Sequence, residues 1–190
     1  MSFTDAAALP VAAGTAYDAI GQLALDEGET LLINGIGGGV GVCAAQMARD
    51  RGVFVIGIGS EGKRELAESL GATLVTYDDG VANRVREIMP EGVDAILDLV
   101  GGDALRSVAD LVSDRARLLT TTDPDTSAEL GGGGVQRDGS GTVLGEIVAL
   151  VADGKLDPHV GDVVPLERAA EALASVETGH ARGKVVISVP

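Results

Sequence analysis

Residues 34–41 read NGIGGGVG, and five of the eight are glycine. Glycine weakens the interior of a helix or strand, so a cluster this dense marks a place where the main chain turns sharply or something lies close against it. The spacing is Gly35-x-x-Gly38-x-x-Gly41, with Gly37 and Gly39 added, and it departs from a strict G-x-G-x-x-G. An apolar run, TLLI, precedes it, and a helix-like run, VCAAQMARDRG, follows. The N-terminus of a helix offers unsatisfied N–H groups and a partial positive charge. Where no Cβ intervenes, a diphosphate can lie directly on those amides. A strand, a glycine turn and a helix in this order predict a dinucleotide site.

A second set of residues bears on which dinucleotide. A carboxylate at the tip of the second strand would hold a ribose 2′-hydroxyl. Here that strand ends GIGS, so the tip offers Gly59 and Ser60, and Lys63 and Arg64 follow at once. A small hydroxyl and two cations suit a 2′-phosphate. The expectation is NADP(H) rather than NAD(H). Against it, Lys63 and Arg64 also read as the solvated face of a helix, and Glu61 stands close enough to repel a phosphate.

The remaining reactive side chains are few. Cys43 is the sole cysteine, and His159 and His180 are the sole histidines. That stock excludes an internal disulfide and a cysteine-based zinc cluster, and no metal site is expected. Cys43 reads as a small buried residue, with no base or cation beside it in sequence. Tyr17 reads as packing, and Arg182 and Lys184 as an exposed turn ahead of the last strand. Asp98, inside the apolar run AILDLVG, needs partners if buried. It reads as a structural cap, with the cofactor cleft as the alternative. The SDR and DPD triplets read as turns.

Five strand-like runs fall at 30–36, 53–59, 73–77, 94–101 and 116–122, with helix-like runs at 39–50, 61–71, 79–89 and 103–112 between them. Apolar strands alternating with helices predict an α/β fold, a Rossmann-type doubly wound parallel sheet in three layers. Two helical pieces broken at Pro10 are expected ahead of it. Residues 123–141 read as a long loop with a short edge strand near 134–137. A helix at 142–154, another at 167–179 and a last strand at 184–189 follow. The 190 residues suffice for one domain. Its core must come from Ala, Val, Leu and Ile, because aromatics make up 2% and Trp is absent. A net charge of −15 without a basic cluster argues against a nucleic-acid partner. No run reaches the ~20 apolar residues of a membrane span. MSFTDAAALP lacks the features of a signal peptide, so a cytoplasmic location is expected.

Taken in order, AAALPVAAGTAYDAI, GETLLINGIGGGVGVCAAQMARDRG, SEGKRELAESLGA, DAILDLVGG and GKLDPHVGDVVPLERAAEALASVETGHARGKVVISV resemble the medium-chain dehydrogenase/reductase superfamily, in its zinc-independent quinone oxidoreductase and enoyl reductase branch. The resemblance covers nearly the whole chain and is weakest at 123–141. It implies that Gly38, Gly39, Val40 and Gly41 carry the pyrophosphate, with Gly35 opening the turn. Ser60, Lys63 and Arg64 would hold the 2′-phosphate, and Tyr77 would lie beside the adenosine ribose. Val100 and Gly101 would border the nucleotide. Thr121, Thr122 and Thr15 would approach the nicotinamide. Members transfer hydride from NADPH to a small electrophile, an enone, quinone or enoyl thioester; no proton donor stands out in this chain.

Members of that branch begin with a GroES-like barrel, and this chain starts where the barrel would end. It is expected to be one NAD(P)-binding domain over 1–190, with leading helices in 1–28 and a tail at 157–190 that would contact the barrel. Apolar surface left on that tail favours a homo-oligomer. A non-catalytic nucleotide-binding module is the alternative function. An S-adenosylmethionine methyltransferase fits less well, because that class carries an acid at the end of its second strand.

Overall fold

The computed structural model describes residues 1–178 and 183–189. At its centre, β1 (Thr30–Asn34) is buried along its whole length, as a strand must be when helices cover both faces of its sheet. It pairs in parallel with β2 (Phe54–Gly59) on one side and β4 (Ala95–Asp98) on the other. β3 (Thr73–Thr76) lies outside β2, while β5 (Leu118–Thr120) and the two-residue β6 (Gly133–Gly134) lie outside β4. The order is β3-β2-β1-β4-β5-β6, all parallel. This is the doubly wound arrangement expected, with its reversal of winding between β1 and β4.

Alternation along β1 divides the core in two. Leu31 and Ile33 face a cluster that includes Val42, Cys43, Ala45 and Ala48 of α3 (Gly39–Asp50). Leu32 faces the other cluster, with Val85 of α5 (Val81–Ile88) and Leu105 and Val108 of α6 (Gly102–Val108). α4 (Arg64–Ser69) bridges β2 and β3 and buries Ala67. The alanines of α3 let that helix approach the sheet closely, which replaces the bulk that aromatic residues supply elsewhere.

Two expectations need correction. The chain does not break at Pro10: α1 (Phe3–Ala8) continues through a π turn, Leu9–Ala13, into α2 (Gly14–Leu23). Proline cannot donate to an α ladder. The wider turn absorbs that loss, with Gly14 N–H bonding to the Leu9 carbonyl five residues back. Nor is 123–141 a plain loop. Asp123 accepts a hydrogen bond from Thr126 N–H at 3.1 Å and starts α7 (Pro124–Glu129), with Pro124 at the first helical position. The DPD triplet is therefore a helix start. In SDR, Asp114 accepts from Ala116 N–H and opens a 3₁₀ turn. The edge strand falls at Gly133–Gly134, overlapping the expected stretch only at Gly134.

After α8 (Gly141–Ala152) the chain forms β7 (Val160–Pro165), α9 (Ala169–Glu177) and β8 (Lys184–Ser188). β7 and β8 pair in parallel as a separate two-stranded sheet. Gln46 of α3 clasps the start of this segment, donating to the Asp157 carbonyl at 3.0 Å and accepting from Asp157 N–H at 2.9 Å. Among the described residues, no helix is long and apolar enough to cross a membrane.

Candidate functional site

The carboxyl ends of the parallel strands gather the expected residues along one edge of the sheet. Gly35 follows β1 with φ +97°, a conformation that favours glycine, and a Cβ there would meet Val100 at 3.1 Å and Leu99 at 3.2 Å. Gly41, in the first turn of α3, leaves no room at all: its Cβ would come within 2.7 Å of the Gly35 carbonyl and the Ile36 backbone. That glycine lets helix and strand meet. Gly38 differs. It caps α3 with φ −84° and ψ 168°, open to any residue, and the nearest atom to a Cβ would be Gly35 O at 3.5 Å. Nothing in the fold requires glycine at Gly38.

The tip of β2 carries Ser60, and a one-turn 3₁₀ helix, Glu61–Lys63, follows. The Lys63 stem crosses the glycine turn, with Cγ and Cδ 2.8 Å from where a Cβ of Gly37 would stand. Arg64 turns away from it. Its Nε and Nη2 donate to the two carboxylate oxygens of Glu61 at 2.6 and 2.8 Å. That fork holds the Glu61 carboxyl below its ordinary range. Tyr77 stands at the end of β3 and is 67% exposed.

Asp98 ends β4 fully buried, and its carboxylate is satisfied by its surroundings. It accepts from Asn34 Nδ2 and Thr120 Oγ1, both at 2.7 Å. Gly101 N–H donates to both oxygens, at 3.1 and 3.0 Å, and Val100 N–H to one at 3.3 Å. One buried group thus ties the ends of β1, β4 and β5 and shapes the turn holding Val100 and Gly101. This is the structural role expected of it. Thr121 N–H donates to the Asp98 carbonyl at 3.0 Å, and Thr122 N–H to Thr120 Oγ1 at 3.2 Å.

A cavity of about 260 Å³ brings Thr15, Val40 and Thr121 together with Val135 and Arg137. Arg137 was not anticipated. Its guanidinium reaches back to Asp18 Oδ2 at 2.7 Å and to the Thr15 hydroxyl. The signal in the sequence was thin: a single arginine in a stretch rich in glycine and acids.

Lys184 was also underestimated. Its ammonium donates to the Gly39 carbonyl at 3.0 Å and the Pro158 carbonyl at 3.3 Å, and lies 3.4 Å from Cys43 Sγ. Cys43 is buried, as expected, but the cation absent from its sequence neighbourhood stands beside it in space. Burial pushes its thiol up, and Lys184 offsets part of that rise. His159 sits near the start of β7 with φ +55°. His180 and Arg182 lie outside the described residues.

Comparison with known proteins places this geometry. A family model described as zinc-binding dehydrogenase matches residues 70–187. An NAD-dependent alcohol dehydrogenase of Sulfolobus acidocaldarius is 33% identical, the match covering 100% of this chain and 59% of that protein. The human mitochondrial NAD(P)H oxidoreductase RTN4IP1 is 30% identical over 100% of this chain and 56% of its own length. The chain thus spans a little over half of these relatives. The structure of a quinone oxidoreductase from Coxiella burnetii superposes with a TM-score of 0.88 at 29% identity, over 100% of this chain and 62% of that one. By the extent of these matches and the sheet they share, the chain belongs to the zinc-binding dehydrogenase family of the medium-chain dehydrogenase/reductase superfamily, whose matched members are NAD(P)-dependent oxidoreductases.

Proposed function

We propose that the chain is the NADPH-binding domain of an oxidoreductase of the quinone oxidoreductase or enoyl reductase type. Gly38 carries the reading. Neither its backbone angles nor its neighbours call for glycine, so its bare Cα serves something outside the chain, a diphosphate seated on the first turn of α3. Gly39, Val40 and Gly41 complete that turn, and Gly35, Val100 and Gly101 form the adjoining wall.

Preference for NADPH rests on the β2 tip, where Ser60 replaces the acid that would hold a 2′-hydroxyl, and on Lys63, whose stem already spans the turn. Arg64, engaged by Glu61, contributes less, and Tyr77 offers a face to the adenosine. Thr15, Thr121 and Thr122 border the nicotinamide end. Bound there, the dinucleotide supplies a hydride; the chain's own groups hold the diphosphate, orient the ring and keep water from one face of it. The acceptor is a small electrophile, an enone, quinone or enoyl thioester, polarised by groups around the ring.

The family's description implies zinc. Among the described residues no group of three His, Cys, Asp or Glu could hold a metal ion, and the Cys43 sulfur faces the Lys184 ammonium. The described residues do not fit zinc.

Exposed apolar side chains on the last segment, Val163, Leu173, Ile187 and Val189, support contact with a GroES-like barrel and a homo-oligomeric state, which light scattering reads directly. A lone cysteine suits a cytoplasmic location. Titration calorimetry of the folded protein with NADPH and NADH tests the core of the reading. NADPH is expected to bind, and Gly38→Val to abolish binding with the melting temperature retained. No heat from either nucleotide would overturn it.

A further inference from the structure

The cavity at the proposed nicotinamide end contains Arg137, which the binding scheme above leaves unused. Arg137, more than a hundred residues after the π turn, reaches two of that turn's main-chain carbonyls, one of which, Val11, also accepts the Gly14 N–H. Nη1 donates to the Val11 carbonyl at 3.2 Å and Nη2 to the Pro10 carbonyl at 3.3 Å. Nε pairs with Asp18 Oδ2 at 2.7 Å, and that carboxylate also accepts from Asp138 N–H at 3.0 Å. The Asp18 side chain is 6% exposed and that of Arg137 35%, so the carboxylate is shielded from solvent while the guanidinium is half-buried. Nη1 also donates to Thr15 Oγ1.

These contacts define what the Thr15 hydroxyl can do. A hydroxyl has one proton and two lone pairs. The proton goes to the Val11 carbonyl at 2.7 Å, and one lone pair takes the Arg137 N–H. One lone pair remains, on a side chain that lines the cavity, and it can receive only a donor. We infer that Arg137 is a positioning residue that makes the Thr15 hydroxyl an obligate acceptor, and so selects the N–H group of a carboxamide in this cavity over its carbonyl. The inference rests on the proposed nucleotide site: it sets which way the nicotinamide carboxamide points about its bond to the ring. π turns recur at functional sites, and here the turn supplies the carbonyls that anchor the arginine.

The test compares NADP⁺ with its 3-acetylpyridine analogue, in which a methyl ketone replaces the carboxamide and no N–H donor remains. Calorimetry of the protein is expected to show the analogue binding about five- to tenfold more weakly. In Arg137→Met and Thr15→Val that gap is expected to close, and the double variant to lose no more than either single one. Thermal melting checks that each variant is folded; if Arg137→Met does not fold, Thr15→Val carries the test. A wild-type protein that binds both nucleotides equally overturns the inference. So does an Arg137→Met that weakens both by the same factor, since that is a structural role alone. Failure of the wild type to bind NADP⁺ and NADPH would instead sink the proposed function itself.

Discussion

The Lys184 ammonium donates to the carbonyl of Gly39 at 3.0 Å, although 145 residues separate the two. With the Pro158 carbonyl and the Cys43 sulfur also in reach, three acceptors meet the three donors of one ammonium group. The last strand is thereby fastened to the first turn of the helix that follows the glycine cluster.

Lys184→Met keeps a stem of similar length against Gly39 and removes the donors. It is expected to lower stability by about 1–2 kcal/mol, seen as a lower urea midpoint. Amide hydrogen exchange should rise at residues 184–188 and stay unchanged in β1 and β4. Uniform acceleration across the whole sheet would contradict this.

Cys43 is held with its proton. Because burial raises the thiol in the folded state, the unfolded chain gives up that proton first as pH rises. Above the ordinary thiol range the unfolded state therefore binds fewer protons, and stability declines with rising pH. Cys43→Ser or Cys43→Ala should flatten that alkaline decline in denaturant titrations. In the native protein, a disulfide reagent should label the thiol only at the rate of unfolding.

The glycines of the turn separate by role. Gly41→Ala drives a Cβ into main-chain atoms at 2.7 Å and is expected to cost about 1–3 kcal/mol. Gly38→Ala meets only ordinary contact at 3.5 Å and should leave the melting temperature within a degree or two of wild type. Equal destabilisation by both would show that the fold, and not a ligand, requires Gly38.

Lys63→Ala should weaken NADPH about tenfold, near 1.4 kcal/mol, and leave NADH nearly unchanged. Arg64→Ala should do less, because its guanidinium already serves Glu61. Calorimetry with both nucleotides separates the two, and equal losses for NADPH and NADH would remove Lys63 from the 2′-phosphate.

Asp98→Asn turns an acceptor-only group into one whose NH₂ faces donors. With Asn34, Thr120 and two main-chain amides aimed at it, the loss is expected to reach about 2–4 kcal/mol. Urea denaturation measures it, and an unchanged midpoint would mean that the network relaxes without cost.

The sheet was readable because its signals are local. Leu31, Leu32 and Ile33 sit in one unbroken apolar run, and the glycines from Gly35 to Gly41 interrupt the chain at the point where strand gives way to helix. Other features were not local. The penalty for Pro10 presumes an α ladder, and the chain escapes it through a π turn. The helix at Pro124–Glu129 has six residues, four of them polar, too short for any apolar period to show. Arg137 meets Asp18 across 119 residues, and Lys184 meets Cys43 across 141. Pairings at that distance leave no trace in a window of ten.

The small β7–β8 sheet stands apart from the six-stranded one, pinned to α3 by Gln46 at one point and Lys184 at another. Both contacts fall on α3, whose opening turn faces the proposed diphosphate: Lys184 at that turn and Gln46 farther along the helix. The small sheet also packs against α1, so it touches both the leading helix and the helix that follows the glycine cluster. The small sheet and the proposed nucleotide seat thus meet at a single ammonium group, that of Lys184.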